Sequence, residues 1–102
     1  MSSKDIICGA ISKKQLLQFL YDGRTRVVEP HLLGYDKAEH VVLCAYLVRG
    51  FTQSQQQPYW RTYFLSEMKL ITILDETFPG PRRGYNPNDG RMLEIYCRLS
   101  RV

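Results

Sequence analysis

Nothing in this 102-residue chain stays apolar for long. The longest apolar run, Val41 to Val48, covers 8 residues. A membrane-spanning helix needs about 20, so no span is expected. The opening stretch, MSSKDIICGAISKK, has no extended apolar region and no cleavage site, and it does not read as a secretory signal. Cys8, Cys44 and Cys97 form no Cys-x-x-Cys pair, and His31 and His40 stand near no cysteine. A zinc site is therefore not expected. An odd number of cysteines with apolar neighbours points to buried, reduced thiols and so to the cytoplasm. There is no Gly-x-x-x-x-Gly-Lys or Gly-x-Gly-x-x-Gly spacing, which excludes the common phosphate cradles. No Ser-His-Asp or Cys-His arrangement stands out, and Asp75-Glu76 has neither a histidine nor a metal spacing beside it. The chain reads as a non-enzyme with no catalytic residue, metal or cofactor. A hydrolase acting on small anions is the weakest alternative.

What is present suffices for one domain. Apolar residues make up 44% and aromatics 12%, enough for a packed interior. The net charge of +4 permits an anionic partner without demanding one.

Ser2 or Ser3 ahead of Lys4-Asp5 marks a helix start, and Ile7, Ala10 and Ile11 fall on one face of a short helix over Lys4 to Lys14. Gln15 to Tyr21 alternates as a strand and ends at Asp22-Gly23, a hairpin signal. Arg24 to Gly34 continues as a strand in which Pro30 requires an edge, a bulge or a bend. Tyr35 to His40 is a polar turn. Val41 to Val48 suits a strand buried on both faces. Arg49 to Pro58, with three consecutive glutamines, is a polar loop expected to be mobile. Trp60 to Leu74 carries a β pattern, as two strands joined at Ser66-Glu67. Asp75 to Asp89 holds three of the five prolines and two glycines, so it is irregular, with Phe78 and Tyr85 able to pin it to the body. Gly90 to Val102 fits a helix or a strand, and a short helix is preferred. The sum is mainly β (α+β): about five short antiparallel strands, a short N-terminal helix and a structured tail, as a small barrel or strongly bent sheet.

The order of these elements resembles the WYL domain. The likeness rests on the Ala10-Ile11 pair, the aromatic strand ending at Tyr21, Arg26 to Pro30 (RVVEP), VVLCAY, RTYFL and LITIL. It spans roughly residues 6 to 78, with a Pro/Gly-rich loop and tail over 79–102, in a single domain over 1–102. Val41-Val42-Leu43 keeps only the leucine of the signature tripeptide, and Glu67 stands where a second arginine is usual. The resemblance implies a stand-alone domain with an Sm-like small β-barrel. It further implies a ligand-sensing module of bacterial or phage regulatory and defence systems that binds nucleotides or nucleic-acid pieces. It places Arg26 and Arg61 in the family's ligand-facing basic positions and Tyr21 at the matching aromatic.

The candidate residues carry two readings each. Arg26 and Arg61 either grip phosphate with planar forks or pair with acids such as Glu29 or Glu67. His31 either donates to an anion or serves as an ordinary capping or surface histidine. Trp60 and Tyr21 either stack on bases or pack the core. Arg82 and Arg83, beside Tyr85, either contact phosphate or lie in a solvated turn. The expected function is a binding module for a nucleotide or single-stranded nucleic acid. The alternative is a protein-interaction or self-association module of a regulatory system, working through an exposed sheet edge.

Overall fold

A computed structural model describes residues 2–50 and 59–100. From residue 51 on, the expected polar loop lies outside the described residues. The chain folds as helix α1 (Ser3–Lys13) followed by strands β1 (Gln15–Tyr21), β2 (Arg24–Asp36), β3 (Val41–Arg49), β4 (Trp60–Phe64), β5 (Lys69–Thr77) and β6 (Met92–Arg98). A 3₁₀ turn, Leu65–Glu67, separates β4 from β5 at the polar step seen in the sequence. The tail is therefore strand β6 rather than the preferred helix, because its alternating residues have an edge of β2 to pair with. Asp75 to Thr77 likewise belongs to β5 instead of the irregular segment.

Helix α1 forms where its caps allow. The Ser2 hydroxyl accepts from the Asp5 N–H at 3.2 Å, and Lys14 stops the helix in the left-handed region at φ 54°. Its inner face buries Ile7, Ala10 and Ile11, each large side chain contributing about 1.5–3 kcal/mol. The Asp22-Gly23 turn has φ of 52° and 74°. Positive φ at both positions is what a two-residue hairpin between twisted strands requires, and it pairs Tyr21 with Arg24.

The strands form one antiparallel six-stranded sheet in the order β4-β3-β2-β1-β5, with β6 also paired to β2. The thirteen-residue β2 serves two neighbours on that edge. Its first half pairs with β1 up to Val28, and its second half pairs with β6 from Leu32. Pro30 falls between the two, where the missing N–H interrupts no ladder on that edge. The register to β3 slips between Pro30 and Leu32, leaving His31 as an extra residue. Among the described strands no ladder joins β4 to β5, so the sheet is not closed. It is strongly curled nonetheless. The rings of Phe19 on β1 and Tyr63 on β4 lie 4.9 Å apart with two strands between them in the sheet. Leu17, Val28, Leu43 and Leu47 fill the core with these rings.

Cys8 on α1 and Cys97 on β6 form a disulfide, with an S–S distance of 2.04 Å. This corrects the reading of three reduced thiols: Cys44 alone is free, and it is buried. The pair is separated by 89 residues and meets only because β6 lies against the helix, a contact invisible in the sequence. Disulfides persist in oxidising surroundings, so the thiol argument for the cytoplasm no longer holds. No described helix is long and apolar enough to cross a membrane.

Candidate functional site

The curl of the sheet gathers three of the expected site residues. Tyr21 packs edge-on to Tyr63 at 5.0 Å, Arg26 lies beside Tyr63, and Arg61 is two residues away on the same strand, near enough for its charge to act on the phenol. The Arg26 guanidinium lies 5.9 Å from the centre of the Tyr21 ring and donates to the Tyr21 carbonyl at 3.5 Å. Arg26 is buried, whereas Arg61 is half-buried and donates to the Trp60 carbonyl at 3.1 Å. The Tyr63 phenol is pushed up in pKa by burial, and the positive charges of Arg26 and Arg61 oppose that shift. Its hydroxyl lies beside Arg26 but closes no hydrogen bond of full geometry. Two positive charges from strands that are not neighbours thus act on one phenol.

The other expected residues meet on the opposite side of β4. The bulge at His31 turns its ring inward, where it is fully buried. The ring sits edge-on to Trp60 at 4.7 Å and to Tyr85 at 5.1 Å, and stacks on Phe78 at 5.7 Å. His31 Nδ1 lies 2.7 Å from the Glu29 carbonyl, which can only accept, so Nδ1 carries the proton. Nε2 accepts from the backbone N–H of Arg82 at 3.0 Å. The imidazole is held neutral: burial lowers its pKa and the Arg82 charge lowers it further, against an opposing pull from Glu29. His31 is therefore buried with both ring nitrogens engaged, and it organises the 78–85 segment from within the core. Arg82 is also committed. It forms a fork with the buried Glu29 carboxylate at 2.7 and 2.9 Å and lies 4.4 Å from the centre of the Tyr46 ring. Arg83 is exposed, and its carbonyl accepts from Trp60 Nε1 at 2.9 Å, which fixes the indole plane. Gly84 makes this approach possible. Its φ is 93°, and a Cβ there would stand 3.1 Å from Trp60 Nε1.

Beside this aromatic nest opens a cleft of about 390 Å³. Trp60, Arg61, Thr62 and Tyr85 line it, with Leu32 and Cys44 among its apolar contacts. Two further lining residues, Asp89 and Arg91, were not singled out from sequence. Arg91 forks onto Asp89, with 2.6 Å from Nη2 to Oδ2, and reaches Thr62 Oγ1 from Nη1 at 3.4 Å. The fork from Arg91 holds the Asp89 carboxyl below its usual range. Burial raises the pKa of the Cys44 thiol, which suits an inert wall rather than a nucleophile. Only the Asn-Pro-Asn-Asp-Gly turn hinted at Asp89. Its place opposite β4 follows from β6, which the sequence left ambiguous. Among the described residues no group of three or more His, Cys, Asp or Glu is placed to hold a metal. No family model, no curated protein and no solved structure matches the chain.

Proposed function

We propose that the chain is a WYL-like regulatory binding module that holds a nucleotide or single-stranded nucleic acid by its phosphates. The observation that carries this reading is Arg61 in the wall of the cleft, half-buried and with its guanidinium on the Trp60 carbonyl, while the buried Arg26 is held at the Tyr21 carbonyl. Arg61 is the phosphate contact. The buried Arg26 stands behind it and adds to the positive potential that an arriving anion meets. The net charge of +4 favours the same class of partner. Arg82 plays no direct part, since Glu29 occupies its fork, and Arg83 is an exposed cation whose backbone carbonyl meets the indole. The scaffold is an Sm-like small barrel left open between β4 and β5. Support comes from the strand path, which ends in those two strands, and from the short turn that links them. Phosphate contacts dominate such binding, so a labelled single-stranded oligonucleotide should bind measurably at low salt and weaken steeply as salt rises. Binding that ignores salt, or none at low salt, would sink the reading.

A second reading, self-association or docking of a regulatory protein, is favoured by Leu70 on β5 and Leu93 on β6, which are 79% and 62% exposed. Sedimentation across a concentration range separates the two, since nucleotide binding alone needs only the monomer.

A further inference from the structure

We propose that the cleft between β4 and the 84–91 segment is a base subsite, taking one nucleobase of a strand whose phosphate lies on Arg61. The inference rests on the phosphate-binding reading and adds where the base goes. Three observations carry it. First, the space is right: about 390 Å³ lies in the range of small-ligand sites, which are mostly apolar with a few placed polar groups. Second, its walls suit a flat ring. Trp60 and Tyr85 lie with their planes 13° apart. Both are held still, Trp60 through the Arg83 carbonyl and Tyr85 through the Leu99 carbonyl at 2.8 Å. A rigid aromatic wall stacks a base at little entropic cost, and does so for any base. Third, its rim carries hydrogen-bonding groups: Thr62 is exposed and Arg91 is 61% exposed, the latter oriented by Asp89. Arg61 is among the residues lining the cleft, and its guanidinium folds back to the Trp60 carbonyl at 3.1 Å, so a phosphate held there would lie at the rim beside the base. The net charge of the Arg91–Asp89 fork is close to zero. That suits a neutral base edge better than a second phosphate.

Trp60 is the chain's only tryptophan, so its fluorescence reports on this wall directly. The test compares an oligothymidylate with an abasic strand of equal length and charge, by anisotropy and by Trp60 quenching. The abasic strand should bind about tenfold more weakly and leave Trp60 unquenched. The variant Thr62→Phe adds bulk at an exposed strand position that tolerates an aromatic residue. With an unchanged melting temperature, it should bring the two strands to equal affinity. Equal binding of both strands by the unaltered protein, without quenching, would overturn the base subsite and leave phosphate binding standing. Binding of neither strand at low salt would overturn both.

Discussion

The Tyr21 hydroxyl accepts a hydrogen bond from the backbone N–H of Phe64 at 3.2 Å, tying the end of β1 to the end of β4 across 43 residues of chain. No ladder does this work among the described strands. The bond helps hold the curl that brings Arg61 towards Arg26. Tyr21→Phe keeps the ring contacts and removes only the acceptor. It should cost about 0.5–1.5 kcal/mol in urea unfolding and weaken oligonucleotide binding at low salt. Full stability together with full binding would show that the bond holds nothing in place.

Gly84 offers a sharper test of the aromatic nest. Gly84→Ala forces a side chain into a left-handed backbone and against Trp60 Nε1. A destabilisation of about 1–3 kcal/mol is expected, with a shift in Trp60 emission as the bond to Arg83 is disturbed. An alanine variant of native stability and unchanged emission would contradict the packing described.

His31 makes stability depend on pH with a definite sign. Its pKa in the folded chain lies below the model-compound value of 6.5, so the unfolded chain binds more protons in the acid range. The stabilisation is fully present above about pH 6.5. It is lost as pH falls, by up to about 1.4 kcal/mol per pH unit until the folded value is reached. Urea midpoints should drop between pH 7.5 and 5.5, and the drop should shrink in His31→Gln. An equal drop in both proteins would assign it to groups other than His31.

The thiols can be counted. One group should react with a thiol reagent in the unfolded, unreduced chain, namely Cys44. It should react slowly in the folded chain, where it is 8% exposed. Three should react after reduction. Because the bridge spans 89 residues, its reduction should cost roughly 3–5 kcal/mol. Three reactive thiols without a reductant would mean the bridge is absent.

These residues show what could be read from the chain. The inner face of α1, the Asp22-Gly23 hairpin, the doubly buried β3 and the split of the Trp60–Leu74 stretch all rest on local periodicity and turn chemistry, and all stand in the structure. Phe78 and Tyr85 do pin their segment. What was not legible depends on long-range pairing. The helix preference for 90–102 failed because only the free edge of β2 selects strand there. The disulfide and the Arg91–Asp89 fork both follow from that strand. The burial of His31 is not legible either, because the bulge that turns it inward is a register effect between β2 and β3. The Arg82–Glu29 fork joins residues 53 apart in the chain, a pairing that no local pattern marks.

The most direct test of phosphate binding at Arg61 is the salt dependence of oligonucleotide affinity in Arg61→Gln. Each phosphate contact to a single strand contributes about 0.7 to the slope of log affinity against log salt. The substitution is predicted to lower affinity at low salt and to flatten the slope by about 0.7, in a protein of unchanged melting temperature. A variant with the same slope and the same affinity as the unaltered chain would contradict the account.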